Sequence, residues 1–560
     1  MPRRPRPIRA WHLEEAPPAA SGQAAALEAT LDQELVHQLG AVPLLLPVLE
    51  RLGLRERINQ RVHPTGTQPA DLDLGRVTEV LVLNRLLAPQ PLVHVEGWVS
   101  KTVLPDLLGL TAAQCNDDRL ARSLDALAPH LDGLWQDLIV GAIQAFALDL
   151  RRLAYDITSV SFCGAYEEAA LVTYGYSRDH RPDRKQVELA TTSLIVGGVP
   201  LDYHVLAGNV ADRTTPVANL QRLQALWAHL PPRPPADAPR RPVVISDRAM
   251  LTMDALAAYA ASDFCYLGPL DPSVGGGAVR TLLASVSRAE LAAAPLAYRP
   301  QRAAADPSWQ PYQGVLRELT LPHPQPDQPP LGVRALVVYS PGKARLDAQK
   351  RETTLRRLEQ ALAALASKLG RRPYTTVPAV QRRVARLCQQ QPARPFLRIV
   401  VAAGAAGPTL SWQREAAALA QAAELDGRYV LGTNAPDLDA NTMLSDAKQR
   451  DVPEKGYAIV KGPLAIRPIY LHKQERILAL VFCTLVALLV YALLELLARR
   501  AGLRLSTQTL LAHFAPLAVV VLICTDGTRL RRLTGLAPPL AAILTALGWT
   551  NLGRYLSVHP

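Results

Sequence analysis

The chain has 560 residues, of which 49% are hydrophobic, and its formal net charge at pH 7 is +12. This length suffices for roughly two to four domains with substantial cores. The positive charge favours a polyanionic partner without identifying one. Six scattered cysteines form no CxxC pair and no His/Cys cluster, so neither a zinc site nor a disulfide framework is indicated. We expect a reducing compartment, the cytoplasm.

Two segments precede the first strand predicted for the core. Residues 1–26 are basic and rich in proline, with no apolar segment that would make them a secretory signal, and they predict a disordered arm. Residues 27–149 are rich in leucine and alanine with helical periodicity. They predict a separate all-α N-terminal domain.

Short apolar runs alternate with turn signals in residues 150–268, which predicts the first part of an α/β core. The runs at 153–160, 170–174, 187–196 and 200–206 are compatible with a meander of three antiparallel strands. Helix-like stretches at 216–227 and 250–261 then alternate with strand-like runs at 242–246 and 264–267. Asp156 and Asp247 each lie in an apolar run with β-branched residues, at 153–160 and 242–247. We expect both carboxylates at strand ends, where the functional residues of α/β sheets concentrate.

Residues 269–428 predict a β-rich insertion with a basic helical arm. Between Lys343 and Arg398 there are fourteen Lys and Arg against three acidic residues. Leucines at 355, 358, 362, 365 and 369 form an apolar seam, which we interpret as packing on its own domain in preference to an intermolecular coiled coil. The basic faces suit contact with a phosphate backbone. Residues 429–525 predict the second part of the core, and residues 526–560 a C-terminal tail.

Glu454 lies between two cations at helical spacing. In a helix, Arg450, Glu454 and Lys461 would point the same way. Pro453 is tolerated only in the first turn, so Arg450 is expected at or before the helix start. Gly456 and the Gly462–Pro463 pair disfavour a longer helix, so a short one is predicted. A carboxylate flanked by two cations suits a site that handles phosphates.

Three carboxylates together allow a specific chemistry. Asp156, Asp247 and Glu454 would hold two Mg²⁺ or Mn²⁺ ions, one activating a nucleophile and the other stabilising the leaving oxygen of an in-line phosphoryl displacement. Each residue taken singly also has an ordinary interpretation, as a turn former, a helix cap or part of a solvated ion-pair face.

Five segments of the sequence resemble DDE transposases of bacterial insertion sequences, in the group with a Tyr-Arg-Glu-Lys signature around the catalytic glutamate. They are residues 155–159, 174–186, 208–212, 245–248 and 448–455. The resemblance implies a ribonuclease H-like catalytic core with Asp156 on its first strand, Asp247 on its fourth and Glu454 on a late helix. It also implies an insertion between Asp247 and Glu454.

The same resemblance implies function and partners. The expected reaction is metal-dependent phosphodiester hydrolysis at element ends, followed by strand transfer into target DNA. Expected partners are double-stranded DNA, as terminal inverted repeats and target, and a second copy of the chain in a synaptic homodimer. Residues 27–149 then correspond in position to a DNA-end-binding or dimerisation domain.

Several cations are predicted to contact DNA. Arg450 and Lys461 would grip it near the scissile phosphate. Arg178, His180, Arg184 and Lys185 form a basic loop for which DNA contact and simple solvation are both open. His180 is not expected to bind metal, because Mg²⁺ prefers oxygen ligands.

One position departs from the signature. The family has tyrosine three positions before the arginine, and this chain has Ala447. Tyr457, on the same predicted helix as Glu454, is a possible partial substitute. The departure leaves open a catalytically inactive DNA-binding relative of a transposase.

A membrane protein is the remaining alternative. Residues 477–494 form an uncharged apolar run long enough to span a bilayer. Charges at Glu475, Arg476 and Glu495 border it, and the resemblance makes the run a core helix. We therefore expect no membrane association.

Overall fold

The computed structural model describes residues 31–62, 72–230, 241–300, 306–307, 309–405, 407–525 and 529–557. The chain forms two compact units. One combines the described residues up to 131 with those from 493 to 557, and the other consists of the described residues between 132 and 492. The predicted basic arm, residues 1–26, lies outside the described residues.

Helices and strands are both abundant, and the fold class is mixed α/β as predicted. The strands of the described residues are β1 Leu31–Gln38, β2 Arg152–Ser161, β3 Gln186–Leu194, β4 Pro200–Ala207, β5 Val243–Ile245, β6 Cys265–Leu270, β7 Gln313–Leu321, β8 Leu331–Tyr339, β9 Leu397–Gly404, β10 Gly407–Arg414, β11 Arg428–Thr433, β12 Ala518–Cys524 and β13 Arg529–Thr534.

The α-helices are numbered in the same way. Those of the described residues are α1 Val42–Leu52, α2 Leu54–Arg61, α3 Leu74–Leu87, α4 Val95–Val99, α5 Leu104–Leu108, α6 Asp117–Leu127, α7 Leu131–Ala145, α8 Pro216–Ala228, α9 Met253–Ala260, α10 Ala278–Ser285, α11 Arg288–Ala292, α12 Pro341–Ala366, α13 Val377–Cys388, α14 Ala416–Leu425, α15 Ala440–Ala447, α16 Val452–Lys461, α17 Gln474–Arg500, α18 Thr507–Phe514 and α19 Pro538–Leu547.

An eight-stranded sheet organises the second unit, in the order β4-β3-β2-β5-β6-β11-β8-β7. β2, β3 and β4 are antiparallel neighbours, and β5 and β6 run parallel to β2. Helices α8 and α9 connect β4 to β5 and β5 to β6. The predicted order of three antiparallel strands, helix, strand, helix and strand is therefore confirmed.

One predicted strand is wrong. Residues 170–174 contain only an isolated bridge from Thr173 to Gln186, and the meander is formed by β2, β3 and β4. The local pattern was misleading because this segment is part of a long loop between β2 and β3. Glycine at 175 allows the loop backbone to approach the carbonyl of Gly208 so closely that a Cβ atom would lie 1.7 Å from it.

The predicted insertion differs from a separate β-rich domain. β7 and β8 pair with each other and extend the main sheet through β11. The pairing satisfies the backbone groups of β11, which would otherwise form an exposed edge. Within the described part of the insertion, only the β9–β10 hairpin forms a separate sheet, and helices α12 and α13 contact this hairpin.

The leucine seam of α12 packs within its own unit, as predicted. Leu355, Leu358 and Leu362 are buried in a cluster with Ala393 and Leu397. Their burial leaves no apolar stripe on this stretch of helix for a second copy. The named helices and hairpin, α12, α13, β9 and β10, are called the arm below.

The first unit is not all-α. β1 pairs antiparallel with β12, and β12 pairs with β13, giving a three-stranded sheet. The predicted C-terminal tail is also structured from 529 to 557, because β13 covers the free edge of β12 and α19 buries Leu540, Ile543 and Leu544. The periodicity missed this because the two pairing segments lie at opposite ends of the chain.

One helix of the described residues, α17, is long and apolar enough to cross a membrane by length and composition. Its most apolar window is 94% buried inside the structure. Phe482 of this helix is fully buried and lies edge-on to Trp135, whose indole donates to the carbonyl of Leu201 on β4. Burial against its own chain is the arrangement expected for a core helix.

Substituting leucines on α12 tests the packing of the arm. Leu362→Ala should lower the free energy of unfolding by about 2 to 5 kcal/mol, because Leu362 is fully buried and the change leaves a cavity. The matched control is Leu346→Ala on the same helix, where the side chain is 56% exposed and a change within about 0.5 kcal/mol is expected. Chemical denaturation measures both, and equal effects would contradict the packing.

Candidate active site

The pairing of β2 with β5 brings two of the predicted acidic residues together. The strands are parallel and in register, with Ala154 opposite Ile245. Asp156 and Asp247 each lie two residues further along the chain, so they occupy matching positions at the same end of the two strands. Neighbouring strands lie about 5 Å apart. The prediction of two strand ends needs one correction. Asp247 follows β5, but Asp156 lies within β2, which continues along β3 to Ser161.

Glu454 reaches the same region from helix α16. The helix runs from Val452 to Lys461 with Pro453 in its first turn, so Arg450 precedes the helix, as predicted. The helix contacts β2 and β3. Glu454 is exposed on the first turn, and the side chains that hold the helix down, Tyr457 and Val460, are buried.

The three carboxylates influence one another electrostatically. The pKa of Asp156 is raised to about 7, first by burial and then by the negative charges of Glu454 and Asp247. A hydrogen bond from the Ile157 backbone and the charge of Arg178 oppose the rise. Positive charge nearby would stabilise the ionised form of Asp156.

Arg450 supplies one such charge. Its Nη1 donates to Oδ1 of Asp247 at 2.8 Å. The side chains are 46% and 58% exposed, so this ion pair is accessible and contributes little to stability. Arg450 was predicted to grip DNA, and here it neutralises a carboxylate of the cluster.

Tyr457 ties α16 to the strand that carries Asp156. Its hydroxyl donates to the backbone carbonyl of Asp156 at 2.5 Å and accepts from Oγ1 of Thr191 at 2.8 Å. Because the side chain is buried, it does not offer an aromatic surface to DNA. Tyr457 therefore does not take over the contact expected of the signature tyrosine.

The position of Ala447 is also buried. It ends helix α15 and packs in a core cluster with Val243, Leu267 and Leu444. No aromatic side chain reaches the cluster of carboxylates from this position.

Lys461 and Arg178 are engaged within the protein. Lys461 Nζ lies 2.9 Å from Thr158 Oγ1 and 2.9 Å from Asp179 Oδ1. Arg467 donates to the other oxygen of Asp179 at 2.7 Å. These bonds fix the loop between β2 and β3 to the end of α16.

Arg178 anchors the same loop to the sheet. It forms ion pairs with Glu188 on β3 and with Asp212. Its role is structural in this arrangement, although its charge also acts on Asp156.

The remaining cations of the loop differ. Lys185 donates to the carbonyl of Ala165. His180 is exposed, with a left-handed φ of 55°. Arg184 is half-buried and has no ion pair among the residues that the structure describes.

Sequence reasoning missed the acidic partners Asp179, Glu188 and Asp212. Asp179 gave no local signal, because its partners Lys461 and Arg467 lie 282 and 288 positions away in the sequence. Thr158 did give a signal, because it lies two residues after Asp156 and shares its face of the strand. Glu188 and Asp212 gave none, since their partner lies on a distant loop.

The donor set suits a hard divalent cation, because carboxylate oxygens are the ligands that Mg²⁺ and Mn²⁺ prefer. Across the described ranges, however, no three His, Cys, Asp or Glu side chains lie close enough to hold a metal ion. Repulsion among the carboxylates and the Asp247–Arg450 pair both favour this open arrangement.

Comparisons with known proteins cover parts of the chain. A family model described as a domain of unknown function, DUF4277, matches residues 35–139. No curated protein matches. The chain is similar to a solved structure of piggyBac transposase in a synaptic complex with hairpin DNA, with a TM-score of 0.37 and 8% identity, over 86% of this chain and 82% of that one. A TM-score of this size does not establish a shared fold.

Stability should depend on pH through Asp156. Its folded pKa of about 7 exceeds the usual 3.8, so the folded state binds a proton that the unfolded state releases. Without divalent cations, the free energy of unfolding should therefore fall by about 2 to 4 kcal/mol as pH rises from 4 to 7.

The variant Asp156→Asn should lose this part of the pH dependence and be more stable than wild type at pH 8 in EDTA. Urea denaturation at pH 5 and pH 8 measures the difference. Equal pH slopes in wild type and variant would contradict the assignment.

Removing the Tyr457 hydroxyl should loosen α16 from β2. Tyr457→Phe loses both hydrogen bonds and should lower the free energy of unfolding by about 1 to 3 kcal/mol. The control is Tyr470→Phe, whose side chain is 62% exposed and whose loss should have no measurable effect. If the two variants unfold at the same denaturant concentration, the anchoring role is wrong.

Proposed function

We propose that this protein is a DNA transposase of the DDE type, cleaving phosphodiesters at element ends and joining the freed 3′-hydroxyls to target DNA. The observation that carries the proposal is the register of β2 and β5, which sets Asp156 beside Asp247 while α16 extends Glu454 over the same region. We further propose that the strands β2 to β6 form a ribonuclease H-like core, which their order and directions support.

Asp156, Asp247 and Glu454 would hold two Mg²⁺ or Mn²⁺ ions. The bound ions would supply activation of the attacking oxygen and stabilisation of the leaving one. The chain's own contribution is positional. Tyr457 keeps α16 against β2, and burial of Asp156 restricts water around one carboxylate.

The cations have separate proposed roles. Arg450 is exposed and paired only weakly with Asp247, so phosphate can replace that carboxylate as its partner. His180 and Arg184 are proposed DNA contacts on the neighbouring loop. Lys461, Arg178 and Lys185 are bonded within the protein, so we assign them first to positioning the loop and helix beside the DNA.

The finer identity follows from the motif resemblance. We propose a transposase of a bacterial insertion sequence, of the group with the Tyr-Arg-Glu-Lys signature, acting in the cytoplasm as a homodimer on terminal inverted repeats. Residues 27–149 would bind element ends or dimerise. Ala447 is the departure from that group.

Cleavage of DNA tests the proposal. Wild-type protein with Mg²⁺ or Mn²⁺ is incubated with labelled DNA that carries the sequences flanking its coding region. Cleavage should occur at the boundary of the repeats, and Glu454→Gln should reduce it by at least about a hundredfold, since a metal ligand is lost, while DNA binding persists.

Glu168→Gln is the matched control, because Glu168 is exposed and lies outside the carboxylate cluster. It should cleave as wild type does. Equal loss of cleavage in the two variants would sink the assigned role of Glu454.

A second candidate is a DNA-binding protein that no longer cleaves. Two observations favour it, the buried Ala447 at the signature position and the open spacing of the carboxylates in the described residues. In the same assay this candidate predicts binding of the flanking DNA with no cleavage by the wild type in either metal.

A further inference from the structure

The arm contains a long stretch of sequence without negative charge. From Gln360 through Arg414 there is no Asp or Glu, and nine residues are Lys or Arg. A surface of this composition has no means of neutralising itself from within. Its charge must be balanced by distant acids, by counterions or by a bound polyanion.

Three acidic residues at the base of the arm are already paired. Glu352 and Glu359 both accept from Arg414, and Glu352 also pairs with Arg356. Asp426 pairs with Arg351 through both oxygens. None of these acids is left to neutralise the cations further along the arm.

Among the nine cations, Arg414 has these acidic partners, and Arg394 donates to the carbonyl of Leu397. The other seven are exposed and form no ion pair with any residue that the structure describes. They are Lys368, Arg371, Arg372, Arg382, Arg383, Arg386 and Arg398.

Helix α13 presents three of these cations on a rigid surface. Val380 is fully buried, and Val384 and Leu387 pack on the cluster beneath the helix. Arg382 and Arg386 lie on the opposite side of the helix, Arg383 lies on its flank, and all three are exposed. Arg386 follows Arg382 by four residues and Arg383 by three, the spacings that bring helical side chains together. The loop that precedes the helix adds Lys368, Arg371 and Arg372.

We propose that the seven unpaired cations form a surface of the arm that binds the phosphate backbone of double-stranded DNA without reading its sequence. This set of residues is called the arm surface. Arginine side chains bind phosphate through paired N–H groups. Each unpaired cation that contacts a phosphate also raises the affinity of the protein for DNA, because the contact releases counterions from the DNA. The choice of DNA as the polyanion rests on the proposed function. The contact is separate from the carboxylate cluster and needs no metal.

Salt dependence of DNA binding tests the surface directly. The triple variant Arg382→Gln, Arg383→Gln and Arg386→Gln is compared with wild type, using a short fluorescent duplex of arbitrary sequence in EDTA. The slope of log affinity against log salt concentration should become shallower by roughly two to three, because each lost phosphate contact contributes about 0.9. Glutamine suits a helix surface, and an unchanged unfolding midpoint establishes that the arm is intact.

The matched control replaces the same three arginines by lysine, which keeps the charge. It should retain most of the wild-type slope. If the glutamine variant binds with the wild-type slope, or the lysine variant loses as much as the glutamine variant, the proposal is overturned.

The two proposals can fail separately. An unchanged slope together with metal-dependent cleavage of flanking DNA would reject the arm surface and leave the transposase intact. A shallower slope with no cleavage by the wild type would support the arm surface and reject the catalytic proposal. Wild-type protein that binds no duplex would overturn the arm surface outright.

Discussion

Pairing of β2 with β5 over only three residues is the constraint on which the site depends. It fixes the register that sets Asp156 beside Asp247. Two carboxylates at adjacent positions repel each other, and one of them is largely removed from water, so the fold accepts a local electrostatic cost. The extensive pairing of β2 with β3 along nine positions holds that strand in place against the repulsion.

The third carboxylate depends on a different kind of support. Glu454 is on a helix of ten residues with a glycine within it, and a short length and an internal glycine give little intrinsic stability. Tertiary contacts compensate. Tyr457 bonds to the strand, and Lys461 bonds to both the strand and the loop at the other end of the helix. The helix is thereby held at both the strand and the loop, while the outward side chain of Glu454 stays exposed.

Much of the core was accessible from the sequence, because apolar runs and turn residues mark β2 through β6 locally and the motif resemblance implied their order. Pro453 likewise located the start of α16. The missing information was long-range. No local pattern near Leu31 indicates a strand that pairs with residues near position 520. The pattern around residue 170 is typical of a strand, although the segment belongs to a loop. Among the site residues, positions were easier to predict than partners: Lys461 was found, but Asp179, which holds it, was not.

The two ends of the arm meet at paired strands of the sheet, so the length of the arm does not affect the geometry of the site. Tyr339 at the end of β8 lies directly opposite Arg428 at the start of β11, and the Ser340 amide donates to the Gly427 carbonyl at 2.9 Å. In topological terms the arm occupies the place of a turn in a β-hairpin. The entropy cost of closing such a hairpin grows only slowly with the number of residues in the connecting segment. The arm is thus a replaceable module, free to vary in size while the strands on either side keep their register.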